Sequence, residues 1–121
     1  MNISKLNKSI KELFDNANGA IESFVVYNKS DGLVITGESI DYEKSAIYHS
    51  ICLTTRNTSR NFKFSKGVQG YSILLKNKKM IYSSILSKDF LFTVILDLNQ
   101  IQLGYFKGIL LKKFLEENQD K

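Results

Sequence analysis

Residues 68–97 read VQGYSILLKNKKMIYSSILSKDFLFTVILD. The run divides into three β-rich stretches, 68–76, 79–87 and 89–97, joined by Asn77-Lys78 and by Lys88-Asp89. Links this short force neighbouring strands to run antiparallel. The last stretch is apolar at Phe90, Leu91, Phe92, Val94, Ile95 and Leu96, so both of its faces are hydrophobic. Such a strand belongs in the middle of a sheet that is covered on both sides.

The segments around this meander supply the cover. Towards the N-terminus, Ile3, Leu6, Ile10, Leu13, Phe14 and Ala17 recur at helical spacing, predicting a helix over 4–17 that Asn18-Gly19 stops. AIESFVVY at 20–27 and LVITGE at 33–38 form a hairpin, with Asp31-Gly32 giving the turn its positive φ. Asp41 caps a second helix over 42–59, rich in small residues. Ile47, Ile51 and Leu53 are expected to bind this helix to the core. Tyr48, Cys52, Thr55 and Ser59 then fall on a separate row, either exposed or a docking surface. A final helix is predicted over 99–117, with Gly104 and Gly108 permitting close packing. The expected class is α+β: one domain over 1–121, a five-stranded antiparallel sheet between helices in the order α-β-β-α-β-β-β-α.

Composition narrows the function. The chain has 121 residues, 43% hydrophobic and 24% charged, enough for one core. A single cysteine excludes an internal disulfide, and Cys52 with the lone His49 cannot fill a tetrahedral zinc site. No stretch is long and apolar enough to span a membrane, and a cytoplasmic protein is expected. The net charge is +5, and from Arg56 to Lys79 the cations Arg56, Arg60, Lys63, Lys66, Lys76, Lys78 and Lys79 meet no acidic residue. No RNP-like aromatic string or zinc-finger spacing accompanies them, so nucleic acid is not the expected partner.

Residues 29–39, KSDGLVITGES, come close to a phosphate-cradling loop. That loop needs a lysine whose ammonium meets the anion, and Glu38 stands in its place. At ~4 Å the reversed sign costs several kcal/mol at intermediate dielectric. Leu33 to Thr36 also form a β run with no loop character. Asp31 and Asp41 are accounted for by a turn and a cap, and no second carboxylate cluster pairs with Glu38 and Glu43. His49 and Cys52 lack a third orienting group. No catalytic residue, cofactor site or metal site is assigned.

In its order of elements the chain resembles the Roadblock/dynein light-chain family over nearly its whole length. The resemblance rests on the opening helix, DGLVI at 31–35, DYEKSAIYHSI at 41–51, KFSKGVQGYSILLKNKKMIYSSI at 63–85, and NQIQLGYFKGIL at 99–110. Lys107 stands near the place where members often carry an arginine. The resemblance implies a profilin-like sandwich serving as a non-enzymatic scaffold. Such proteins pair, as homodimers or with a related Roadblock protein, through the second helix and the third strand. That places Tyr48, Cys52, Thr55, Tyr71, Ile73 and Leu75 at the dimer interface. It also implies a small Ras-like GTPase as partner, with Arg56, Arg60, Lys63 and Lys66 docking it electrostatically and any membrane reached only indirectly. A tether in a motor or membrane-associated complex, or a small-molecule sensor, are the other readings.

Overall fold

The computed structural model describes residues 2–61 and 69–118. Its first helix, α1 (Ile3–Asn16), is capped by Asn2, whose side chain accepts the Lys5 amide at 3.0 Å. The chain then forms β1 (Ile21–Asn28) and β2 (Val34–Glu38), an antiparallel hairpin. Its turn follows from residue type. Gly32 sits at φ +76°, and the Asp31 carboxylate accepts the Leu33 amide at 3.0 Å. Gly37 pairs with Val25, and a Cβ there would lie 2.2 Å from the Phe24 carbonyl oxygen. The second glycine of the near-miss loop is therefore a strand-pairing residue.

Asp41 caps α2 (Tyr42–Asn61), accepting the Glu43 and Lys44 amides at 3.2 and 3.3 Å. The meander follows as β3 (Gly70–Leu74), β4 (Lys79–Ser87) and β5 (Phe90–Asp97), each antiparallel to the next. β3 ends earlier than expected. The Leu75 amide donates to the Lys79 carbonyl at 2.7 Å, and Lys76–Lys78 form a 3-10 turn with Asn77 at φ 65°. β5 pairs with β1 as well, giving the order β2-β1-β5-β4-β3. The doubly apolar strand is thus central, as its composition requires.

Side-chain alternation sends the two faces of the sheet to two cores. On one, Leu6, Ile10 and Leu13 of α1 meet Phe24, Val26, Phe92 and Val94. On this face Phe24 and Phe92 stack at 5.5 Å, with Phe114 edge-on to Phe24 at 5.2 Å. Each fully buried Phe contributes about 1.5–3 kcal/mol relative to exposure. On the other face Val25, Tyr27 and Leu91 meet Tyr48 and Cys52 of α2.

The last helix, α3, comprises Leu103–Tyr105, a π-helical segment Phe106–Leu111, and Lys112–Asn118. It begins four residues later than expected. The Asp97 carboxylate accepts the Asn99 amide at 3.0 Å and the Gln100 side chain at 3.3 Å, which holds the chain in a turn. α3 buries Phe106, Leu110, Leu111 and Phe114. Gly104 and Gly108 are not packing contacts, because a Cβ at either would meet nothing within 4 Å. Among the described residues no helix is long and apolar enough to cross a membrane.

Candidate functional site

At about 100° per residue, Ser45, Tyr48 and Cys52 fall on one face of α2, with Thr55 at its border. That face is turned inward. Tyr48 is 4% exposed and Cys52 8%, whereas Ile47 is 56% and Leu53 40% exposed. The phase of α2 therefore differs from the expected one: Tyr48 and Cys52 pack towards the chain's own sheet, Ile47 and Leu53 are exposed, and Ile51 is half-buried. The physical reason is reach and area: the Tyr48 ring extends to the cluster of Val25, Tyr27 and Leu91 with Cys52 beside it, and buries more apolar surface than Ile47 would, so Ile47 stands outside.

The sheet surface beneath α2 is partly polar, which suits this row. The Tyr27 hydroxyl lies 3.2 Å from Ser83 Oγ and 3.1 Å from Thr93 Oγ1, and Ser83 Oγ donates to the Phe92 carbonyl at 3.0 Å. Burial pushes the Tyr27 hydroxyl pKa up, opposed by its bonds to Ser83 and Thr93. The Cys52 thiol is raised by burial too, against the lowering effect of Arg56 and Lys29. A protonated, packed thiol is a poor nucleophile. His49 is committed elsewhere: its Nε2–H donates to the Lys29 carbonyl at 3.0 Å, and its ring covers Gly32, where a Cβ would lie 2.6 Å from Nδ1. The pair of His49 and Cys52 is structural.

Outside, Ala46, Ile47, Ser50, Ile51, Thr54 and Thr55 line a shallow groove of about 390 Å³. Thr55 is half-buried, its Oγ1 donating to the Ile51 carbonyl at 2.8 Å. β3 lies at the end of the sheet and pairs only with β4 among the described residues. Tyr71 and Ile73 point half-buried towards the α2 side, Leu74 points away and is 67% exposed, and Leu75 follows the strand, partly exposed. Of the expected docking cations, Arg56 lines a second groove together with Lys29 and Lys88. Lys63 and Lys66 lie outside the described residues, as does the side chain of Arg60.

Sequence reasoning missed Ile47, Ser50 and Thr54 as the outward row, and it missed Lys29 and Lys88 as companions of Arg56. The spacing of small residues at 45, 52 and 55 was the available signal for the first. For the second it was the lysine at each hairpin tip.

No protein-family model matches the sequence, and no curated protein does. Solved structures do match. Myxococcus xanthus MglB is 17% identical, with 94% of this chain and 84% of that chain covered, at a TM-score of 0.78. An MglB with a tetrameric arrangement is 13% identical, covering 93% and 84%, at 0.74. A Roadblock/LC7 domain from Streptomyces avermitilis is 18% identical, covering 88% and 91%, at 0.69. The chain has the Roadblock/LC7 fold.

Proposed function

We propose that the protein is a non-enzymatic homodimeric scaffold that binds and regulates a small Ras-like GTPase in the cytoplasm. The observation that carries this reading is the outward row of α2, with Ile47 exposed among Ala46, Ser50 and Thr54, in a fold whose β3 edge has no second strand among the described residues. Small residues around one large aliphatic side chain let a second helix approach closely. A two-fold axis at that row would bring the same patch of both subunits together. Two β3 edges meeting across the axis would extend the sheet and satisfy the backbone groups of each edge. A tetrameric arrangement in one MglB of this fold supports self-association.

A dimeric platform can act on a GTPase by ordering its switch region, with no catalytic group of its own. The commitment of His49 to a backbone carbonyl and the burial of Cys52 fit that role. Capture of candidate small GTPases, loaded with a GTP analogue or with GDP, on the immobilised protein tests it. Preference for one nucleotide state is expected. Equal capture of both would contradict switch regulation and leave a structural tether.

A further inference from the structure

Two hairpin tips and one flank of α2 enclose a single groove of about 670 Å³. The β1–β2 tip contributes Asn28, Lys29 and Ser30; the β4–β5 tip contributes Lys88 and Asp89, with Phe90 behind them; and α2 contributes Leu53 and Arg56. The parts are fixed to one another. The Lys29 amide donates to the Asp89 carbonyl at 2.8 Å, joining the tips, and His49 anchors the Lys29 carbonyl to α2.

The charge in this groove is unbalanced. Lys29, Arg56 and Lys88 face it with Asp89 as the one carboxylate among its lining residues, and none of these four takes part in an ion pair among the described residues. Leu53, 40% exposed, gives it apolar ground on the α2 side, while the Phe90 side chain packs into the core on the other face of the sheet. A compact phosphate site would need backbone amides converging on one anion. Here they are spent: Lys29 N on the Asp89 carbonyl, Ser30 N on Asn28 Oδ1 and Gly32 N on the Asn28 carbonyl. The cations are instead spread over three elements along an open groove.

We propose that this groove docks an acidic peptide segment of a protein partner, its carboxylates facing Lys29, Arg56 and Lys88 and an apolar side chain resting on Leu53. Leu53 borders the pairing row through Ala46 and Ser50, but Lys29, Arg56 and Lys88 line none of it, so docking does not require the subunit pairing proposed above.

Fluorescence anisotropy with a labelled short peptide of glutamates, interrupted by one leucine and one phenylalanine, tests this on the full chain. Saturable binding is expected. Lys29→Glu with Lys88→Glu should weaken it by about tenfold or more, and Leu53→Ser several-fold, while Lys5→Glu with Lys8→Glu on α1 changes it less than about twofold. Lys88→Glu alone, at an exposed site, keeps the test independent of any effect on folding. Absence of binding, or equal loss in the α1 control, would overturn the proposal. So would a peptide affinity indifferent to Leu53→Ser together with displacement by tripolyphosphate or by phosphatidylserine vesicles, which would mark the groove as a general anion surface.

Discussion

The Tyr71 hydroxyl donates to the Tyr48 carbonyl at 3.2 Å, tying edge strand β3 to the inner face of α2. The two elements assigned to subunit pairing are therefore coupled within one chain. Tyr71→Phe removes the bond and keeps the ring. It should lower stability by about 1 kcal/mol, read as a small drop in Tm, without loss of fold.

The phase of α2 separates two neighbours in sequence. Tyr48→Ala should cost about 3 kcal/mol or more in urea unfolding, because it empties a buried site. Ile47→Lys should cost the single subunit less than ~0.5 kcal/mol, as a surface change, yet release monomers. A large loss of subunit stability from Ile47→Lys would show that the helix is turned the other way.

These two residues also mark the limit of what could be read from the sequence. The Asp31-Gly32 turn, the Asp41 cap and the central place of β5 were legible, because each rests on a local rule with one strong outcome. The phase of α2 was not. Ser, Thr and Cys differ little in polarity, so the helix lacks a dominant apolar stripe, and the small residues on its inner face looked equally suited to a mate. The start of α3 was obscured for another reason. Its boundary is set by the side chains of Asp97 and Asn99, which compete with helical bonding, and Asn99 also donates to the Asn77 carbonyl at 2.8 Å, a tertiary contact. The basic groove depends on Lys29, Arg56 and Lys88, far apart along the chain, and only the sheet brings them together.

Gly32 and Gly104 should respond oppositely to alanine. At Gly32 the positive φ and the His49 ring both oppose a Cβ, so Gly32→Ala is expected to destabilise by about 1–3 kcal/mol. Gly104→Ala meets open space on a helix and should be neutral or stabilising by up to ~1 kcal/mol. Thermal melts of the two variants make the comparison.

Stability should fall on the alkaline side. Burial raises Cys52 and the hydroxyls of Tyr27, Tyr48 and Tyr71 above their ordinary values of 9.0 and 10.0. The folded state therefore holds these protons more tightly than the unfolded state. Their contribution is complete below the ordinary values and is lost as pH rises through the raised ones. Asp97 has the opposite sign. Hydrogen bonds from Asn99 lower it from 3.8, so its contribution is present above that value and is lost as pH falls through the lowered one. Urea midpoints across pH should decline at both ends, and Cys52→Ala should soften the onset of the alkaline decline.

Light scattering coupled to size exclusion at micromolar concentration addresses the dimeric scaffold most directly. The wild-type chain should elute with twice the mass of one subunit, and Ile47→Lys with the mass of one, both retaining the same circular dichroism. A wild-type protein that stays monomeric at that concentration would contradict the account.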